Sequence, residues 1–355
     1  MNILYYTPVN FRCRDIESVA AKFIAGGHKV FFLSQCPPGT FHESMKQLGA
    51  EVSSIDRPNV AARVLAIIRF CRKNKVDVCF SHLEPTNFVS VLAQYFCKTR
   101  FVIYRHHIDE AKLNGFDQSF AYKLTYKLAK TIVCVSRQAR EYMINVEHVP
   151  SSRIFHINLG YDFNLLYPLP VKKAKAEKGI RLLSAGRLNK HKRPHLNLEL
   201  LKRAVDAGID CSLTFLGVGE EEPNLREMAR KYAIEDRVIF VGYTHQILDH
   251  MADADLLVHP SLLESSCVVV KEAALVELPV MLCQGVGDFD DYMKDRINGI
   301  VLPRERFVDE GLVVLQEFSK NRQPFKETAK RLRTEIISRF DIDNVIGEFN
   351  KLIGA

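Results

Sequence analysis

Several features that would settle a protein's class at once are missing from this chain of 355 residues. No apolar run is long enough to span a bilayer, so a helical membrane protein is not expected. The opening MNILYYTPVNFRCRD has no basic stretch followed by a long apolar one, and no secretory signal is read there. None of the nine cysteines forms a C-x-x-C pair, and Cys79, Cys134 and Cys211 lie in apolar runs. Reduced, mostly buried thiols are expected, which favours a cytoplasmic setting. No helix-turn-helix, RNA-recognition or zinc-finger spacing is present, so nucleic acid is not an expected partner. No G-x-G-x-x-G follows the first apolar run, which argues against a nicotinamide dehydrogenase.

What is present suits two domains. The length fits two better than one, and 47% hydrophobic residues can fill two cores. The net charge of +7 is uneven: residues 1–165 hold 21 Lys and Arg against 13 Asp and Glu, while the remainder holds 28 against 29. A basic first half attracts an anionic membrane surface or a phosphorylated substrate. Short apolar runs alternate with amphipathic stretches throughout. The runs expected as strands are 3–6, 30–33, 52–55, 78–80, 101–104, 132–135 and 154–157, then 180–185, 212–216, 238–241, 256–258, 280–283 and 299–302. Such alternation predicts an α/β chain of two Rossmann-like domains, each a parallel sheet covered on both faces. The pattern breaks over Tyr161–Gly179, which holds Pro168, Pro170 and VKKAKAEKG. The expected boundaries are therefore an N-terminal domain at 1–165, a linker at 166–179, a second domain at 180–338 and a terminal helix at 339–355. That helix is expected to return to the first domain. Two such domains would face a cleft, where ligands prefer to bind.

Four stretches in the second half carry candidate chemistry. In HPSLLESSCVVVKEAALVELPV, Glu264 falls on a loop after a strand, and Glu272 lies inside the following helix. Ser265 and Ser266 are expected to cap that helix. Its N-terminus, with Cys267, Val268 and Val269, would favour an anion. In LLSAGRLNKHKRP a strand ends at Ala185, Gly186 permits a turn, and Arg187 and Lys192 follow. Two cations beyond a strand end suit a diphosphate. In LTFLGVGEEEPNL, Gly217 and Gly219 mark a strand-to-helix turn with backbone close to a ligand. In VIFVGYTHQ, Gly242 and Tyr243 are placed to lie beside a flat base. The D-x-D within GDFDDY at 287–292 is read as a loop, and no metal is expected.

From Ile132 to Leu302 these pieces, taken in order, resemble glycosyltransferase family 4, the glycosyl transferases group 1 type with a GT-B fold. They are IVCVSRQAREYM, RIFHINLGYDFNLLYP, AGRLNKHK, LTFLGVGEEEPNLREMA, DRVIFVGY, ADLLVHPSLLESSCVVVKEAALVELPV and NGIVLP. The openings MNILYYTP and AGGHKVFFL fit more loosely. The resemblance implies a retaining, metal-independent transferase with no cofactor. Its donor would be a uridine or guanosine diphosphate sugar, and its acceptor a glycan or lipid-linked sugar. It implies that Glu272 holds the donor ribose, that Glu264 lies near the donor sugar, and that Arg187 and Lys192 stabilise the leaving diphosphate. A functional histidine is implied at the strand end in FVIYRHHIDE, either His106 or His107. The chain departs from the family pattern in three places. Arg12 and Arg14 stand where a glycine-rich turn is common, and bind phosphate or an anionic acceptor or are surface residues. Ser265, Ser266 and Cys267 follow Glu264 where glycines are usual, and Glu277 replaces a common glycine before Leu278. A nucleotide-sugar epimerase of similar shape and a non-catalytic nucleotide-sugar-binding subunit are the alternatives. A cytoplasmic enzyme, peripheral at the inner membrane face through its basic half, is expected.

Overall fold

Mostly apolar runs supply thirteen parallel strands in two sheets among the described residues. The computed structural model describes residues 1–106, 119–166, 169–170, 179–264 and 266–354. These divide into unit 1, Met1–Leu166 with Arg339–Ala355, and unit 2, Tyr167–Ser338.

Unit 1 holds β1 (Asn2–Thr7), β2 (Lys29–Ser34), β3 (Glu51–Ser54), β4 (Val78–His82), β5 (Arg100–Arg105), β6 (Ile132–Cys134) and β7 (Ile154–His156). Their order is β3-β2-β1-β4-β5-β6-β7. β1, β2, β4 and β5 are buried along nearly their whole length, as strands covered on both faces must be. Side-chain caps start the intervening helices: Asn59 accepts from the Ala62 amide at 2.9 Å, and Ser136 from the Ala139 amide at 3.1 Å. The terminal helix Ile342–Ile353 belongs to this unit, where Phe349 meets Phe80 edge-on at 6.2 Å between ring centroids. Tyr161 is not part of a free connector. Its amide donates to the Phe340 carbonyl at 2.8 Å, and its carbonyl accepts from the Ile342 amide at 3.0 Å. A short helix, Phe163–Leu166, follows. Most of the expected linker lies outside the described residues.

Unit 2 holds β8 (Ile180–Ala185), β9 (Cys211–Leu216), β10 (Val238–Gly242), β11 (Leu256–His259), β12 (Val280–Cys283) and β13 (Ile300–Leu302), in the order β10-β9-β8-β11-β12-β13. In both units the chain builds outward from its first strand, then crosses to that strand's other side. The reversal falls between β1 and β4 in unit 1 and between β8 and β11 in unit 2. Connections leave opposite faces there, so the carboxyl ends of the two strands open a crevice. Helices at Thr40–Gln47, Thr86–Ala93 and Arg137–Asn145 fall between the expected strands, as the alternation requires. All are short, and tertiary packing rather than a long apolar stripe holds them.

Candidate active site

The loops after β8 and β11 meet at the strand-order reversal of unit 2. Gly186 takes φ +135°, with open space where a side chain would stand. Gly217, at φ +124°, lies so close that a Cβ would fall 2.1 Å from the Gly186 carbonyl oxygen. At Gly219 a Cβ would fall 2.2 Å from the Leu188 carbonyl oxygen. Both glycines therefore let two neighbouring loops touch, backbone to backbone. The Leu188 amide donates to Val218 at 3.1 Å across this contact. Arg193 then ties the loop to β11 and β12. Its Nε donates to the Pro260 carbonyl at 2.7 Å, and its Nη2 lies 3.0 Å from the Cys283 sulfur.

This clamp brings Lys192 onto Glu264. The Lys192 ammonium and the Glu264 Oε1 form an ion pair, and the same oxygen lies 2.6 Å from His259 Nε2. The Cys267 sulfur is 3.6 Å from that nitrogen. Burial alone would push the Glu264 carboxyl up, but hydrogen bonding and charge from His259 and Lys192 outweigh it and leave it at about 2. Burial likewise pushes His259 down, yet Cys267 and the Glu264 carboxylate raise it to about 9. Burial also opposes the Lys192 charge, and Glu264 more than offsets it, so Lys192 is raised. The cluster is charged through partnership.

A second buried pair props the same corner. Lys271 and Asp288, each 1% exposed, form an ion pair at 2.7 Å. Asp288 also accepts from the Ser266 hydroxyl at 2.8 Å and the Cys267 amide at 3.3 Å. Cys267, not Ser265 or Ser266, occupies the cap position of the helix Val268–Leu275, without a side-chain cap bond. The Asp288 carboxylate serves that helix start from outside the helix. Gly287, at φ +62°, sits against Glu264, where a Cβ would fall 2.8 Å from the glutamate's own Cβ. The segment 287–292 is thus a buttress under the site, and its Asp288 is buried structure.

The other expected residues of unit 2 lie at the ends of its strands and in the helix after β11. Arg187 is exposed, and its side chain has no ion-pair partner among the described residues. Glu272 is buried in the helix, and Val268 and Val269 are partly buried in its first turn. Gly242 takes φ +80° with open space beside it, and Tyr243 is 72% exposed. Ser265 and His107 lie outside the described residues. The sequence reading missed His259, Lys271 and Asp288. One signal was available: Lys271 and Glu272 stand together in the otherwise apolar VVVKEAAL, and a lysine buried there needs a carboxylate.

Unit 1 places a different cluster at its own reversal. His82 closes β4, and its Nδ1 lies 3.0 Å from His106 Nε2, just past β5. Tyr104 stacks on His82 at 4.1 Å, and Tyr5 stacks on its other side at 6.0 Å. Burial, and then the His106 charge, hold His82 well below the usual imidazole range. Asp15, at the start of helix Arg14–Ala25, is raised to about 6, first by burial and in part by Glu17. Arg12 forms a two-bond pair with the buried Glu17, at 2.9 and 2.6 Å. Arg14 opens the helix, and its carbonyl accepts from the Ser18 hydroxyl at 2.7 Å.

Comparison with known proteins agrees with this architecture. Residues 14–165 match the model for Glycosyltransferase Family 4, and residues 169–335 match that for Glycosyl transferases group 1. The chain is 22% identical over 274 residues to the N-acetylgalactosamine-N,N'-diacetylbacillosaminyl-diphospho-undecaprenol 4-alpha-N-acetylgalactosaminyltransferase of Campylobacter jejuni, spanning 74% of this chain and 73% of that protein. It is 22% identical over 308 residues to the UDP-Gal:alpha-D-GlcNAc-diphosphoundecaprenol alpha-1,3-galactosyltransferase of Escherichia coli, spanning 79% and 75%. Among solved structures it resembles Anabaena Alr3699/HepE in complex with UDP-glucose, with a TM-score of 0.84, 17% identity, and coverage of 100% and 99%. Two consecutive family matches and two parallel-sheet domains lead to one conclusion: the chain belongs to glycosyltransferase family 4 and has the GT-B fold.

Proposed function

We propose that this glycosyltransferase moves a sugar, with retention, from a nucleotide-diphosphate sugar to a lipid-linked or glycan acceptor, without a metal or other cofactor. The observation that carries the reading is the charged corner of unit 2. There Lys192, His259 and Glu264 meet at the strand-order reversal, with Arg187 exposed on the loop after β8 and Glu272 on the next helix. The names of the two curated relatives, both acting on diphospho-undecaprenol-linked sugars, support the acceptor class. The UDP-glucose held by the Anabaena protein supports a uridine donor over a guanosine one.

In this reading Glu272 accepts a hydroxyl of the donor ribose. Arg187 and Lys192 bind the diphosphate. As the bond from the anomeric carbon to the diphosphate oxygen breaks, negative charge grows on that oxygen. Fixed cations stabilise it most at the transition state. Lys192 is held by Glu264 before the donor arrives, so its ammonium needs little reorganisation. The acceptor hydroxyl then attacks from the leaving-group face, and its proton passes to the departing diphosphate. His106 is assigned to the sugar or the acceptor.

A donor screen by thermal shift tests this reading. A uridine-linked sugar should raise the melting temperature by mass action, and Glu272→Ala should weaken that shift. Absence of any shift across nucleotide sugars would sink the donor assignment. An undiminished shift in Glu272→Ala would remove only the role of that residue. Peripheral binding to a cytoplasmic membrane face is part of the proposal and rests on the basic excess in residues 1–165. It predicts sedimentation with anionic vesicles at low salt, lost at high salt.

A further inference from the structure

His259, Glu264 and Cys267 are all buried, and each offers one ligand atom. Those three atoms lie within 4.8 Å of one another. One imidazole nitrogen, one thiol and one carboxylate oxygen are a ligand set for zinc, which accepts nitrogen, sulfur and oxygen in a tetrahedron. The residues come from one short stretch: the end of β11, the loop beyond it, and the cap of the next helix. We propose that this triad is a zinc site, and that a zinc ion there inhibits the transferase.

Two of the three separations can be set against what zinc requires, and the third, sulfur to carboxylate oxygen, is within 4.8 Å. Ligand atoms around a tetrahedral zinc stand roughly 3.3–3.7 Å apart, given bonds of about 2.0–2.3 Å. The sulfur is already 3.6 Å from His259 Nε2. The Glu264 oxygen, at 2.6 Å from the same nitrogen, has to open by roughly 0.7 Å. Glu264 lies on a loop outside any helix or strand, where such a shift needs no break in a backbone ladder. On binding, the thiol gives its proton to solvent as the metal–sulfur bond forms. Any proton on His259 Nε2 leaves as that nitrogen takes the metal. The fourth position is left to water.

A metal at this place changes the electrostatics of the corner. Thiolate and carboxylate neutralise a divalent ion, and the same Glu264 oxygen can no longer hold the Lys192 ammonium. Lys192 is 26% exposed, so it can swing to solvent, and its path is the route by which a metal enters. The ion removes Glu264 from the sugar side and misplaces Lys192. That makes it an inhibitor rather than a cofactor.

Cobalt(II) reports this ligand set directly. Added at one equivalent to the full-length chain, it should give the intense visible bands of a tetrahedral ion and a near-ultraviolet thiolate charge-transfer band. Zinc should abolish both. Cys267→Ser should lose the charge-transfer band and weaken metal binding at least ~10-fold. His259→Gln should weaken it similarly, which keeps the test alive if the serine variant fails to fold. Cys97→Ser should leave the spectrum unchanged. No tetrahedral spectrum at one equivalent, or a charge-transfer band that survives Cys267→Ser, would overturn the site. The inhibition half rests on the transferase reading and has its own measure. Zinc should suppress sugar transfer, and a chelator should restore it. Tetrahedral spectra from a protein that transfers no sugar would leave the site standing and the transferase reading fallen. Transfer unaffected by saturating zinc would overturn the inhibition.

Discussion

The two strand-order reversals use the same topology for opposite electrostatics. At the unit 1 reversal, burial wins: His82 is held neutral between Tyr5 and Tyr104, and Asp15 is pushed up toward its protonated form. At the unit 2 reversal, partners win: His259 is raised, Glu264 is lowered, and Lys271 sits against Asp288 with almost no exposure. Desolvation penalises charge at both places. What differs is whether an opposite charge stands within hydrogen-bonding distance. Fixed cations in a buried corner need carboxylates to hold them, and unit 2 supplies Glu264 to Lys192 and Asp288 to Lys271.

The largest expected effect comes from breaking that partnership. Asp288→Asn leaves the buried Lys271 ammonium uncompensated and weakens the bond to the Cys267 amide. It should destabilise unit 2 by about 3–5 kcal/mol. Urea unfolding followed by circular dichroism measures it. A loss below about 1 kcal/mol would mean that the pair is not held charged as a unit.

Next comes the pH response, where the buried histidines of the two units should move stability in opposite directions. His259 has a folded pKa of about 9, above its unfolded value near 6.5. Its contribution is complete below pH 6.5 and is lost as pH rises through 9. Glu264 works at the acid side: lowered to about 2 from near 4.5, its contribution is present above 4.5 and lost as pH falls toward 2. His82 is lowered, so the unfolded chain binds a proton below pH 6.5 that the folded chain refuses. Stability of unit 1 should fall on acidification through that range. Asp15 titrates in the same unit near pH 6, so the comparison has to be made by difference. His259→Gln should remove the alkaline limb and, by taking a partner from Glu264, also shift the limb below pH 4.5, whereas His82→Phe should flatten only the limb near pH 6.5. If both variants flatten the same limb, the contrast between the units is wrong.

His82→Phe also carries a smaller prediction at pH 8. The His82 Nε2 has no hydrogen-bond partner among the described residues, and the ring is packed by aromatic stacking. Phenylalanine keeps the stacking and forfeits one bond to His106. The change should stay within about 1 kcal/mol, in contrast with Asp288→Asn. A thermal melt at pH 8 decides it.

Much of the fold was legible because the signal was local. The thirteen strands lie within two residues of the apolar runs that announced them. The helices at 40–47 and 86–93 carry no long apolar stripe, so the strand alternation implied them without fixing their bounds. Much of the candidate site was legible as residue types but not as partnerships. Lys192 and Glu264 are 72 residues apart, and they meet because β8 and β11 are neighbours in the sheet. Nothing in LLSAGRLNKHKRP names a carboxylate as the lysine's partner. Gly217 and Gly219 were recognised as a close approach, but what they approach is a neighbouring loop. Asp288 looked like half of a loop motif, because its lysine lies across the sheet edge on another helix.

The smallest expected effect tests whether backbone strain, rather than charge, limits unit 2. Glu277 stands where the sequence reading expected glycine, and its φ is +55°. It follows the helix Val268–Leu275, with its amide donating to Ala274 at 3.0 Å and the next amide to Ala273 at 2.9 Å. This is the left-handed turn in which glycine usually ends a helix. A side chain there costs about 1 kcal/mol that glycine avoids. Glu277→Gly should therefore stabilise unit 2 by roughly 0.5–1 kcal/mol, after the loss of the glutamate's own contacts. Glu277→Ala separates the causes, since it deletes the side chain and keeps the strained backbone. Urea midpoints should rise for glycine and not for alanine. An equal rise for both would place the effect in the glutamate's charge, and would extend the rule of partnered charge in unit 2 to a residue that breaks it.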